Sequence, residues 1–92
     1  MLYSQQIRAA RALLGWTQER LAEQAGIGAA TLKRLEARPG RLSGNAQTVW
    51  QIQGALEAAG VAFIAADRSG GPGVRLTEPT TPRLRGPRRQ KD

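Results

Sequence analysis

A chain of 92 residues carrying a formal net charge of +7 and a sequence pI near 11.5 has the size of one small domain and points to a polyanionic partner, nucleic acid before an anionic membrane surface. Cysteine and histidine are both absent, which excludes a disulfide framework, a Cys/His metal site and the usual imidazole base. No apolar run is long enough for a membrane span and Met1-Leu2-Tyr3-Ser4 does not read as a signal peptide, so a cytoplasmic protein with no membrane partner is expected.

Taken in order, the chain opens with a helix capped by Ser4, running to about Leu14 and stopping at Gly15. Ile7, Arg11 and Leu14 share one face at i, i+4, i+7 spacing. Thr17 is the N-cap of a second helix, and Trp16 and Leu21 have the spacing of a hydrophobic staple. Gly26 suits the left-handed conformation that ends a helix. Ile27, Gly28 and Leu32 repeat the device for a third helix, about Ala29 to Ala37, with Gly28 as a cap lacking a side-chain oxygen; Arg38-Pro39-Gly40 is its stop. Ala22 is small, as a close helix crossing requires, and Leu21, Ala25, Ile27, Leu32 and Leu35 form a shared apolar seam. An arginine on an apolar stripe needs a partner, and Glu36, one turn beyond Leu32, is the candidate for Arg11; the alternative is an Arg11 that snorkels to solvent.

Asn45 or Ser43 caps a fourth helix, about Ala46 to Ala59, with Val49, Ile52, Leu56 and Ala59 on one face. Gly54 weakens its middle by about a kcal/mol relative to alanine. Trp50 flanks the stripe and is expected to pack rather than to serve as a ligand platform. Val61–Ala66 and Gly73–Glu78 read as two short strands joined by a turn-rich Asp67-Arg68-Ser69-Gly70-Gly71-Pro72. A lone ribbon is marginal, so it either lies on its own helices or pairs across a dimer axis. From Pro79 onward prolines and charges lack periodicity and read as a disordered tail. Arg83, Arg85, Arg88, Arg89 and Lys91 make that tail a phosphate-tracking or minor-groove arm, or a merely solubilising one.

A short helix, a glycine turn and a second short helix fit the helix-turn-helix plan. With Gln18 opening the first of these helices, Ala22 at its fifth position, Gly26 at the turn and Leu32 and Leu35 as buried positions, the stretch from about Ile7 to Leu56 resembles the Cro/repressor-like (XRE) family. The resemblance implies a mainly α fold, a lambda-repressor-like helix-turn-helix bundle of about four helices. To this the chain adds a C-terminal two-stranded β-ribbon and a basic tail. The expected division is residues 1–60 for DNA binding, 61–78 for a hairpin extension able to dimerise, and 79–92 for the tail. Family members often join the first and third helices by an ion pair, which strengthens the Arg11–Glu36 assignment.

By the same resemblance the third helix enters the major groove of double-stranded DNA with Ala29, Ala30, Lys33 and Arg34 toward the bases. Arg34 suits guanine O6 and N7, the commonest specific pairing; Lys33 does likewise or binds phosphate. Ala29 and Ala30 meet thymine methyls, or simply let the backbone approach. Many relatives carry larger polar residues here and Ser or Thr where Gly28 stands, so readout leans more on DNA shape and phosphates. Phosphate contacts are expected from Thr17 and Gln18 at a helix N-terminus, from Gly28 and Thr31, and from Arg38 and Arg41, whose other reading is ordinary loop solubility. Gln18 is also expected to brace the third helix.

The leading function is a sequence-specific DNA-binding transcriptional regulator acting as a homodimer, without cofactor. A variant is the antitoxin of a toxin–antitoxin pair, with ribbon and tail on a toxin. A second class is an adaptor that uses the helical fold to bind another protein without reading DNA. An enzyme is not expected: neither a nucleophile–base pair nor a phosphate-binding glycine motif is present, and Gly70-Gly71-Pro72-Gly73 lacks the lysine and following helix of a P-loop.

Overall fold

The computed structural model describes residues 2–42 and 44–78; Ser43 as a cap and the basic tail with Arg83, Arg85, Arg88, Arg89 and Lys91 lie outside them. Four helices come first, α1 (Ser4–Leu14), α2 (Gln18–Ala25), α3 (Ala29–Ala37) and α4 (Ala46–Ala58), followed by β1 (Val61–Ile64) and β2 (Gly73–Leu76). Punctuation is local and matches the sequence. Gly15 and Gly26 end α1 and α2 at φ 70° and 71°, and the Thr17 hydroxyl accepts from the Arg20 N–H at 3.0 Å. The Asn45 carboxamide oxygen accepts from the Gln47 N–H at 2.7 Å.

The core draws on every element but β2 for its fully buried members. Ile7 and Ala10 come from α1, Leu21, Ala22 and Ala25 from α2, Leu32 from α3, Ile52 and Leu56 from α4, and Val61 from β1, with Leu2 preceding them. Ile27 and Leu35 complete the expected seam as partly buried residues. α2 packs on both α3 and α4, and the Gln51 side chain donates to the Ala25 carbonyl at 3.1 Å, closing the last turn of α2.

The ribbon is antiparallel, with Val61 opposite Leu76 and Ile64 opposite Gly73. It lies on its own helices, β2 against α1 and β1 against α4. Each strand is two residues shorter than expected at its C-terminal end: β2 stops at Leu76, opposite the first residue of β1, and β1 stops at Ile64, where Gln6 intervenes. The buried Gln6 carboxamide donates to the Ile64 and Gly73 carbonyls at 3.3 and 2.9 Å, capping the ladder there, while Asp67 and Gly70 close a separate turn. Gln6 Oε1 also accepts the Tyr3 N–H at 2.9 Å.

Two expectations are corrected. Ser4 is the first residue of α1 and not its cap. Its N–H donates to the Gly40 carbonyl at 2.9 Å and Tyr3 bridges Arg41, so the extended, capping position falls on Tyr3. Trp50 does not pack: it is 76% exposed. On a helical wheel it stands about 160° from Ile52, so indole hydrophobicity misled where spacing was right. Among the described residues no helix is long and apolar enough to cross a membrane.

Candidate nucleic-acid interface

The candidate interface is organised around a buried carboxylate. Glu36, 3% exposed, lies near the end of α3 and accepts from Arg11 Nε at 2.8 Å through Oε2 and from Arg11 Nη2 at 2.7 Å through Oε1. This is the bidentate fork that a planar guanidinium favours. Gln18 Nε2, from the first residue of α2, donates to the same Oε1 at 2.9 Å. Arg11 Nη1 reaches the Trp16 carbonyl at 3.1 Å, tying down the α1–α2 turn. The expected Arg11–Glu36 pair is thus present, and Gln18 braces α3 through it. Arg8, which the sequence reading passed over, adds a bond from Nη1 to the Glu36 carbonyl at 3.1 Å. Arg8 stands at i−3 from Arg11, on the same face of α1, but the carbonyl it bonds leaves no signal in the sequence.

With one side of α3 fixed in this way, the other side is free. Ala30, Lys33, Arg34 and Ala37 are exposed, while Ala29 and Thr31 are half-buried at its start. Lys33 Nζ lies 3.3 Å from Glu19 Oε2, with both side chains more than half exposed, so little holds the ammonium in place. The Glu19 carboxyl is pulled below its ordinary range by its own backbone N–H at the helix start and then by Lys33.

A concavity flanks each side of this strip. One, of about 540 Å³, is lined by Thr31 and Arg34 of α3, by Arg38 and Arg41 beyond it, and by Asn45 at the start of α4. The other, about 680 Å³, lies between α1, the start of α2 and α3, and gathers Arg8, Thr17, Gln18 and Lys33. The expected site residues therefore assemble in two groups on either side of one exposed helix face. Gly28, the N-cap of α3, is exposed at its head.

The loop carrying Arg38 and Arg41 is held from a distance. The Gly40 N–H donates to Gln5 Oε1 at 3.1 Å, and the Leu42 N–H to the Leu2 carbonyl at 2.9 Å. Nothing periodic in the sequence announces these bonds, because they join segments far apart in the chain. Gly40 adopts φ 99°, which favours glycine at this clasp.

Such a face can meet a polyanion with cations on both flanks and a slim, small-residue helix between them. Compared with known families, residues 7–45 match a family model described as a helix-turn-helix. Compared with curated proteins, the chain matches none.

Proposed function

We propose, from the match of residues 7–45 to a helix-turn-helix family model, that the chain is a sequence-specific transcriptional regulator of the Cro/repressor-like (XRE) type, binding double-stranded DNA as a homodimer. The observation that carries this reading is the exposed strip of α3, ending in the buried Glu36 that fixes its orientation and flanked by cationic concavities. An exposed α-helical face of this kind fits the major groove, and grooves lined with arginine fit the phosphates beside it.

Within that reading each residue has a role. Arg34 addresses a guanine edge through N7 and O6. Lys33 leaves Glu19, at small cost for so exposed a pair, to reach a base or a phosphate. Ala29 and Ala30 allow close approach and offer methyl contacts to thymine. Thr17, Gln18, Gly28 and Thr31 sit at the starts of α2 and α3, where backbone N–H groups lack intrahelical acceptors and favour a phosphate. Arg38 and Arg41 bind the backbone on the far flank. Arg8 joins the near flank.

Selection of bound sites from random duplex, repeated with two variants across a salt series, tests the assignment. Arg34→Ala is expected to relax base preference at one position of the site. Arg41→Ala should weaken all sequences alike and lower the steepness of the salt dependence by about one unit. Identical behaviour of the two variants refutes the division of labour. Failure of the wild-type chain to shift any duplex at low salt refutes DNA binding itself and leaves the adaptor reading.

A further inference from the structure

Trp50 is 76% exposed, and Trp50 and Ile64 are the only large hydrophobic residues exposed among the described ones. Tryptophan is among the residue types most enriched at contact centres. One turn further along α4, Gly54 is exposed, and a Cβ built there would meet nothing within 4 Å. The chain's own packing therefore gives no reason for glycine at a helix-interior position where alanine is preferred. A second backbone approaching at that level does give one.

We propose that the outward face of α4 docks a second copy of this chain, the two helices antiparallel about a two-fold axis level with Ile52. The pattern of the face is self-complementary under that operation. Trp50 of each copy faces the notch at Gly54 of the other, and Ala46 faces Ala58, large against absent and small against small. Gln47 faces Glu57, whose carboxylate takes one bond from Gln53 of its own helix at 3.2 Å and keeps acceptor sites for a second amide. An isologous contact requires this kind of matching, residue i on j and j on i.

Charge selects the occupant. The chain carries +7 overall, so two copies repel unless they meet through a surface without cations. The outward arc of α4 has none: its exposed residues are Ala46, Gln47, Trp50, Gly54, Glu57 and Ala58. The α3 side, with its arginines, is left open. The area sets the strength. Two 13-residue helices, each about 20 Å long, bury roughly half of a standard interface of about 1,600 Å². The free dimer is accordingly weak and reversible.

This deepens the DNA-binding reading by naming its dimer surface, and self-association is measured without DNA, so the two fail separately. Sedimentation equilibrium of the full chain, at moderate salt over a wide concentration range, is expected to show a monomer–dimer equilibrium. Trp50→Ala should raise the dissociation constant roughly tenfold or more while leaving the shift of non-specific duplex at low salt intact. Gly54→Ala should raise the melting temperature of the dilute monomer, since alanine is the better helix former, yet weaken the dimer; this opposition of signs separates a lost contact from a damaged fold. A chain that stays monomeric to its solubility limit overturns the proposal. So does a dimer indifferent to both substitutions, including one that is lost when the free edge of the ribbon is altered instead.

Discussion

Glu36 receives hydrogen bonds from three side chains on two other helices, Arg8 and Arg11 of α1 and Gln18 of α2. Removing its carboxylate strands the Arg11 guanidinium, whose side chain is only 19% exposed. Glu36→Ala is therefore expected to destabilise the chain by about 3 kcal/mol, because an unpaired buried charge costs more than the pair contributes. Replacing both partners with methionine should recover most of that loss, as thermal unfolding of the single and double variants will show, while DNA affinity stays low because α3 has lost its brace. At the surface the scale is smaller. Glu19 is exposed, and its own backbone N–H and then Lys33 hold its carboxyl below the ordinary range. A folded-state value that is depressed contributes stability above the unfolded value, and this is lost as pH falls through the lower, folded one. NMR titration is expected to find Glu19 shifted down in the wild type and moved only part of the way back in Lys33→Met, since the backbone N–H is the larger cause. Of these residue-level features the Arg11–Glu36 pair was legible, because an arginine on an apolar stripe demands a partner. The engagement of Arg8 with a backbone carbonyl was not, because a carbonyl leaves no mark on the sequence.

The helices were legible as elements because their ends are written locally, in Thr17, Gly26, Gly28 and Asn45, and the turn between α2 and α3 shows how differently two neighbouring glycines act. Gly26 holds φ 71° with only the tip of Gln51 within reach of a Cβ, at 3.6 Å. Gly26→Ala should cost about 1 kcal/mol through backbone strain rather than collision. Gly28 has φ −73° and ψ 143°, open to any residue, and a Cβ there meets only the Thr31 hydroxyl at 3.8 Å. Gly28→Ser should stabilise by a few tenths of a kcal/mol by supplying the missing cap oxygen. Opposite signs in the melting temperatures of these two variants are the check. The ribbon was located correctly and drawn too long: β1 ends where its last carbonyl meets the Gln6 carboxamide from the other end of the chain, and β2 ends at Leu76, opposite Val61, the first residue of β1. Trp50 was misplaced for the opposite reason: its character was weighed above its angle around α4.

On the scale of the whole molecule, charge and shape divide the surface. Arginines from α1, α3 and the following loop frame one helix, whereas the outward arc of α4 carries no cation. If roughly six cations meet phosphates, the logarithm of the binding constant should fall with the logarithm of salt at a slope of about −5, which filter binding across a salt series measures directly. A slope near zero is incompatible with the framed helix as a duplex probe. Composition alone pointed to a polyanionic partner, and the capped turns to the helix proposed to meet it. Neither foretold how the loop bearing Arg41 is fixed, because that depends on bonds between Leu2–Gln5 and Gly40–Leu42, which no local pattern encodes.

Those bonds carry a dynamic corollary. The same short strand of chain that buttons down Gly40 and Leu42 also presents Gln6 to the ribbon, so the two distant regions share one latch. Amide hydrogen exchange should report them as a single opening unit. In Gln6→Ala, protons at Gly40 and Leu42 should exchange faster together with those of β1 and β2, although no bond of the loop itself has been touched.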